Sequence, residues 1–339
     1  MLPRSVSCLL GSALLMLATT GAAHAMAREV VPIHQTRMAN GDLRYSVTVQ
    51  IGARAVEAQL DTGSVGLRVM PGVLHNEDAM LTDAPSKESY GSGVHLEGRI
   101  AQAEIGFGQA RQRVPIQWVN SVFCDPQRPT CMASWVPQQA FLIGGGDPRK
   151  GEGYKAILGI GMYRSAAINS LLAMGGRWLV LLPLPGQREP GQLILNPTPE
   201  ETQGFRAVSL QPATAKPGDR VPYWKDHALQ SCIMRMDTGE KQCADSILDT
   251  GAAGFRVSAA DSHPAWPEGT EAHYNLLMAD GTQLGQHFRV SRKSPDYVRF
   301  SSNKGTPFTG INAGLLTYFD NAVLYDQQAG LIALRARAH

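Results

Sequence analysis

Residues 61–69 read DTGSVGLRV and residues 249–257 read DTGAAGFRV. Six of the nine positions are identical and the rest are small or apolar, so the chain carries one motif twice, as two halves of a duplicated architecture would. A strand-like approach precedes each copy. Tyr45, Val47, Val49 and Ile51 alternate ahead of the first, and Ser246-Ile247-Leu248 runs straight into the second. Asp61 and Asp249 are therefore expected where a strand ends and a tight glycine turn begins. Two facing carboxyls are what a water molecule needs to attack a peptide carbonyl: one takes its proton while the other protonates or hydrogen-bonds the developing oxyanion. At about 3 Å and an effective dielectric near 20, two such negative charges repel by roughly 5 kcal/mol, several pKa units, so the pair keeps one shared proton. Gly63 and Gly251 are expected to let the backbone turn beside each carboxyl, and the Thr62 and Thr250 hydroxyls to brace one loop against the other.

The rest of the 339 residues fits this reading. Hydrophobic residues make up 43% and charged ones 18%, a globular mixture, and 35 Gly with 21 Pro point to many strands and turns. A net charge of +2, with Lys and Arg dispersed, leaves no footprint for nucleic acid. Residues 1–25 read as an export signal: Arg4, an apolar run at 9–17, then small residues Ala23 and Ala25 ahead of a new terminus at Met26. Cys8 precedes the apolar run and is expected to leave with it. No later stretch has the roughly 20 apolar residues of a membrane span, so stable membrane insertion is not expected. The product is expected to be a monomer in the periplasm or outside the cell.

Removing the leader leaves four of the five cysteines. Three pairings are open to them, of which Cys124–Cys131 with Cys232–Cys243 is the economical choice in an oxidising compartment. The first pair encloses a Pro-rich loop, and the second flanks a hairpin turning at residues 237–240. No histidine pair has ligand spacing near them, so a zinc site is not expected.

Further along, Ser89-Tyr90-Gly91-Ser92-Gly93 and Ala156-Ile157-Leu158-Gly159-Ile160-Gly161 follow the first motif. With the two DTG motifs, these resemble the flap tip and the apolar locking segment of pepsin-like aspartic peptidases. Val221-Pro222-Tyr223-Trp224 resembles the strand opening their second lobe, Cys243 a common disulfide position, and residues 323–326 and 330–332 their closing strands. The resemblance spans nearly the whole mature chain. It implies a mainly β, bilobal fold of two related barrel-like lobes, expected over 26–202 and 203–339, with Asp61 and Asp249 catalytic in the cleft between them. It implies too that Tyr90, Gly91 and Ser92 form a substrate-binding flap, and that Ser64 supports Asp61 by a hydrogen bond. Substrate would be an extended protein or peptide segment, and no metal or organic cofactor would be needed.

Departures from the family pattern suggest a divergent bacterial branch. Arg68 stands where a tryptophan usually meets the flap tyrosine, and Arg256 is its second-lobe copy. Ala252 replaces a Ser or Thr, and the second locking segment, Ile311-Asn312-Ala313-Gly314, is less apolar than the first. The alternative reading is a pepsin-shaped binding or assembly factor with weak turnover or none. Asp237-Thr238-Gly239 is a decoy, lacking an apolar run before it. Residues 144–147, GGGD, lack the Gly-Lys-Ser/Thr ending of a phosphate loop and are expected as an exposed loop.

Overall fold

The computed structural model describes residues 27–219, 221–259, 264–302 and 310–337. The expected leader, with Cys8 and the cleavage site, lies outside them. Among the described residues strands dominate, with a few single 3-10 turns and one short helix, Leu316–Asp320. The alternation ahead of the first motif buries Tyr45, Val47, Val49 and Ile51 on one face of the strand Leu43–Ile51, as a period of two requires.

Both DTG copies are built the same way. Ala156–Ile160 runs parallel to Arg54–Asp61 and antiparallel to Val65–Val69, so it lies between the two strands that the first DTG turn joins. The second half repeats this with Gly310–Asn312 between Lys241–Ile247 and Phe255–Ala259. Even the register repeats: Arg68 faces Ile157, and Arg256 faces Asn312. With a third strand between them, the arms of each turn cannot zip into a hairpin, and the turn stays open at the end of the sheet.

One sheet ties the halves together. Glu29–Arg37 pairs through its first residues with Gly191–Leu195 and through its last with Leu43–Ile51. Beyond Gly191–Leu195 come Arg177–Leu181, Asn321–Asp326, Leu331–Ala336 and Arg206–Ser209, so strands from both ends of the chain share one ladder. Among the described residues, a second sheet of seven strands lies within the C-terminal half. The main apolar core draws on both halves, from Val31 and Leu60 to Phe255 and Leu334.

Both expected disulfides form, Cys124–Cys131 and Cys232–Cys243, the latter across the hairpin of Leu229–Arg235 with Lys241–Ile247. Two expectations need correction. Residues 221–224 are not a strand. Pro222 lacks an N–H for a ladder, and Trp224 instead donates its backbone N–H to the Met162 carbonyl and its indole N–H to the Gln327 carbonyl, the latter at 2.7 Å. Leu229–Arg235 is the strand that follows. Residues 144–147 are half-buried, not exposed, because the Gly144 carbonyl accepts from the Arg44 guanidinium and Gly145 lies against the same group.

Candidate active site

Asp61 ends the strand Arg54–Asp61, and Asp249 follows Lys241–Ile247 by two residues. Each carboxyl is held by two donors. Asp61 accepts from the Gly63 backbone N–H at 2.9 Å and from the Ser64 hydroxyl at 2.7 Å. Asp249 accepts from the Gly251 N–H at 2.7 Å and from the Asn312 side-chain amide at 2.5 Å. Asn312 is oriented by its own oxygen, which accepts from the Gly314 N–H at 3.0 Å and leaves the NH2 end for Asp249. The missing hydroxyl at Ala252 is thereby replaced from another strand. The sequence shows Asn312 only as a weakened apolar position of the second locking segment; its pairing opposite the second motif is visible only in the folded chain.

The two carboxyls meet across the halves. A β-carbon on Gly251 would lie 2.7 Å from Oδ1 of Asp61 and 3.0 Å from Oδ1 of Asp249, while one on Gly63 would lie 2.4 Å from the Asp249 carboxyl carbon. The inner oxygens thus converge, and the Oδ2 atoms point outward to Ser64 and Asn312. Glycine is required here for close approach and not for a left-handed backbone: φ is not positive at Gly63 or Gly251. Asp61 is 6% exposed. Burial, followed by the negative charge of Asp249, raises its pKa to about 7, against the opposing pull of the Ser64 and Gly63 hydrogen bonds. Gly63→Ala is expected to push the carboxyls apart and cut turnover by about 100-fold; wild-type rates in a peptide-cleavage assay of that variant would show that the approach tolerates more room.

Beneath the carboxyls the threonines interlock. The Thr62 and Thr250 hydroxyls accept from each other's backbone N–H at 2.9 and 3.1 Å, and each donates to a carbonyl of the opposite half, Thr62 to Leu248 and Thr250 to Leu60. Thr62 has then spent its proton, so the Tyr318 hydroxyl, 2.8 Å away, donates to it, and Tyr325 donates in turn to Tyr318 at 2.6 Å. These buried tyrosines come from the last quarter of the chain, and no local motif marks them.

The segment expected as a flap is a hairpin of Ala79–Ser89 with Val94–Phe107, closed by Tyr90 and Gly93. Gly91 and Ser92 are exposed at its tip, and no described contact brings Ser92 to the carboxyls. Tyr90 turns inward against Val94, Ile157 and their neighbours. Its hydroxyl is buried without a protein partner, and its pKa is raised by that burial, with the Arg68 charge opposing. Arg68, 1% exposed, is paired with Glu88 on the flap strand. Its charge is thus compensated locally, and a tryptophan's place is taken by a partly buried ion pair. Arg128, inside the Cys124–Cys131 loop, donates to the Gly91 carbonyl and packs on Gly93. Replacing both cysteines by serine is expected to cost about 2 kcal/mol from loop entropy and to raise KM for peptides through a looser flap; unchanged KM with lowered stability would leave the disulfide a purely structural role.

Among the described residues, His75, Glu77 and Asp78 are the group that could hold a metal ion, but the Arg54 guanidinium already lies among them, bonded to Asp78 and His75. That cluster is separate from the carboxyl pair. Asp237, the decoy, is on the surface, paired with Arg235 at 2.7 Å.

A mainly β chain whose halves repeat one three-strand motif and meet at a pair of carboxyls has the bilobal fold of the pepsin-like aspartic proteinases. The aspartic proteinase from Irpex lacteus is similar over 92% of this chain and 98% of its own, with a TM-score of 0.60 and 13% sequence identity. No family model and no curated protein sequence matches the chain. The likeness is one of fold.

Proposed function

We propose that the protein is an aspartic endopeptidase that hydrolyses extended protein or peptide segments with a water activated between Asp61 and Asp249. The observation that carries this is the convergence of the inner carboxyl oxygens on Gly251, with the outer oxygens tied off by Ser64 and Asn312. Two carboxyls so placed hold one proton between them. The ionised member takes a proton from water as it attacks the carbonyl; the protonated member hydrogen-bonds the carbonyl oxygen and then protonates it. The threonine interlock keeps the two turns in register while charge moves. Substrate lies under Tyr90 and Gly91, held by backbone hydrogen bonds as an added strand would be.

The lobes in this reading are 26–202 and 203–339. The chemistry draws only on this chain's own carboxyls, the molecule acts as a monomer after export, and its sequence departures mark a divergent bacterial branch. Two disulfides suit an oxidising compartment, and no described helix is long and apolar enough to cross a membrane. The rival reading, a binding or assembly factor without turnover, drew on Arg68, Ala252 and Asn312. Asn312 answers for Ala252, which weakens that argument. Incubating the leaderless protein with a peptide library between pH 3 and 8, with and without a pepstatin-type transition-state mimic, tests the proposal. Mimic-sensitive cleavage is expected; tight peptide binding with no cleavage at any pH would favour the rival.

A further inference from the structure

We propose that Arg256 is a specificity-determining residue of the cleft, selecting substrates with an acidic side chain in the segment that passes beneath the flap tip; this rests on the peptidase reading above. Directly opposed residues of an antiparallel pair project from the same face of a sheet. Arg256 is opposed to Asn312, and Asn312 reaches the Asp249 carboxylate from that face. Arg256 therefore leaves the second sheet on the side of the cleft. It is long enough to cross it: a β-carbon on Gly91, at the flap tip of the other lobe, would lie 3.4 Å from Nη1 of Arg256. Peptide bound between flap and carboxyls has this guanidinium as a neighbour.

The contrast with its copy is informative. Arg68 is fully buried and paired with Glu88. Among the described residues Arg256 has no hydrogen bond or ion pair, and its Nε is buried without a partner. The other cation at the tip, Arg128, is engaged with the Gly91 carbonyl. Glu88, a carboxylate of the flap strand, is paired with Arg68. A guanidinium fork with no carboxylate partner among the described residues suits a substrate carboxylate, which can accept two parallel N–H bonds from its terminal nitrogens, and disfavours the isosteric amide, whose NH2 would face N–H donors.

Matched peptides decide this. In an otherwise neutral sequence, each position within four residues of the cleaved bond is set in turn to Glu, Asp, Gln or Lys, and kcat/KM is measured at low and high salt. The wild-type protein is expected to prefer Glu or Asp over Gln at one position by about 10-fold or more, less at high salt. In Arg256→Gln that ratio falls to about one, and in Arg256→Glu the same position comes to favour Lys. Equal cleavage of Glu and Gln peptides at every position by the wild type would overturn the proposal without any variant. An acidic preference that survives in Arg256→Gln would overturn it too, as would a variant that keeps the preference and shifts only the pH profile on neutral peptides, since Arg256 would then act on the carboxyl pair. If no peptide is cleaved, the peptidase reading fails instead, and fluorescence anisotropy of labelled Glu and Gln peptides still decides Arg256: tighter binding of the Glu peptide, lost in Arg256→Gln, upholds it, and equal binding rejects it.

Discussion

Asp61→Asn is expected to abolish peptide hydrolysis, lowering kcat/KM by at least about 1,000-fold, and to make the protein more stable above neutral pH. An amide neither gives nor takes the proton that the mechanism moves, which accounts for the first effect. The second follows from linkage. The folded pKa of Asp61 is raised to about 7 by burial and by the charge of Asp249, above the 3.8 of an ordinary aspartate. The folded state therefore holds this proton more tightly than the unfolded one. The stabilisation it gives is complete below about pH 4 and is lost as pH rises through 7. Asn carries no such dependence. The variant should match the wild type near pH 4 and exceed it at pH 8 by on the order of 2 kcal/mol, less than the full shift implies because the proton is shared. Urea denaturation at the two pH values, beside a cleavage assay, measures both effects. Retained turnover, or a stability difference that does not grow with pH, would contradict the assignment. Asp237→Asn is the control: exposed and paired with Arg235, it should leave hydrolysis unchanged.

Removing the Asn312 amide is expected to be the next most damaging change. Asn312→Ala takes from Asp249 its only side-chain donor among the described residues and leaves Oδ2 without the 2.5 Å contact. A hydrogen bond to a charged group contributes about 1.5–3 kcal/mol and favours the ionised form. Its loss should therefore move the alkaline limb of kcat/KM towards higher pH by about one unit and lower the maximum by 10-fold or more. Ala252→Ser should partly restore the profile in the Asn312→Ala background, by supplying the hydroxyl that Ser64 supplies to Asp61. In the wild-type background the same serine should do little. Sequence reasoning alone expects the opposite, that Ala252→Thr by itself pulls the limb to lower pH, because it sees the missing hydroxyl and not the amide that replaces it. Profiles of the three variants separate the views: a large shift from position 252 alone, with none from position 312, would return the role to Ala252.

The repeated DTG and its strand-like approach are legible because alternation and turn chemistry act within a few residues, whereas the flap and the locking segment are read only from a resemblance to pepsin-like peptidases. From them the sequence by itself determined the two-half, strand-rich fold and the candidate carboxyl pair, and it favoured one of three open disulfide pairings, which the structure decided. Tertiary structure decided what depends on pairing register and on space. Asn312 serves Asp249 because a strand more than fifty residues later slots into the motif; Tyr318 and Tyr325 support Thr62 from still further along the chain. Gly63 is needed because a carboxyl from the other half occupies the room of a side chain, a demand no backbone preference reveals. Arg68 and Arg256, equivalent positions of the repeated motif, diverge because one finds Glu88 on the flap hairpin of its own half and the other crosses a cleft to the flap tip. A carboxylate's neighbours and an arginine's partner are set by through-space distance, which local sequence does not encode.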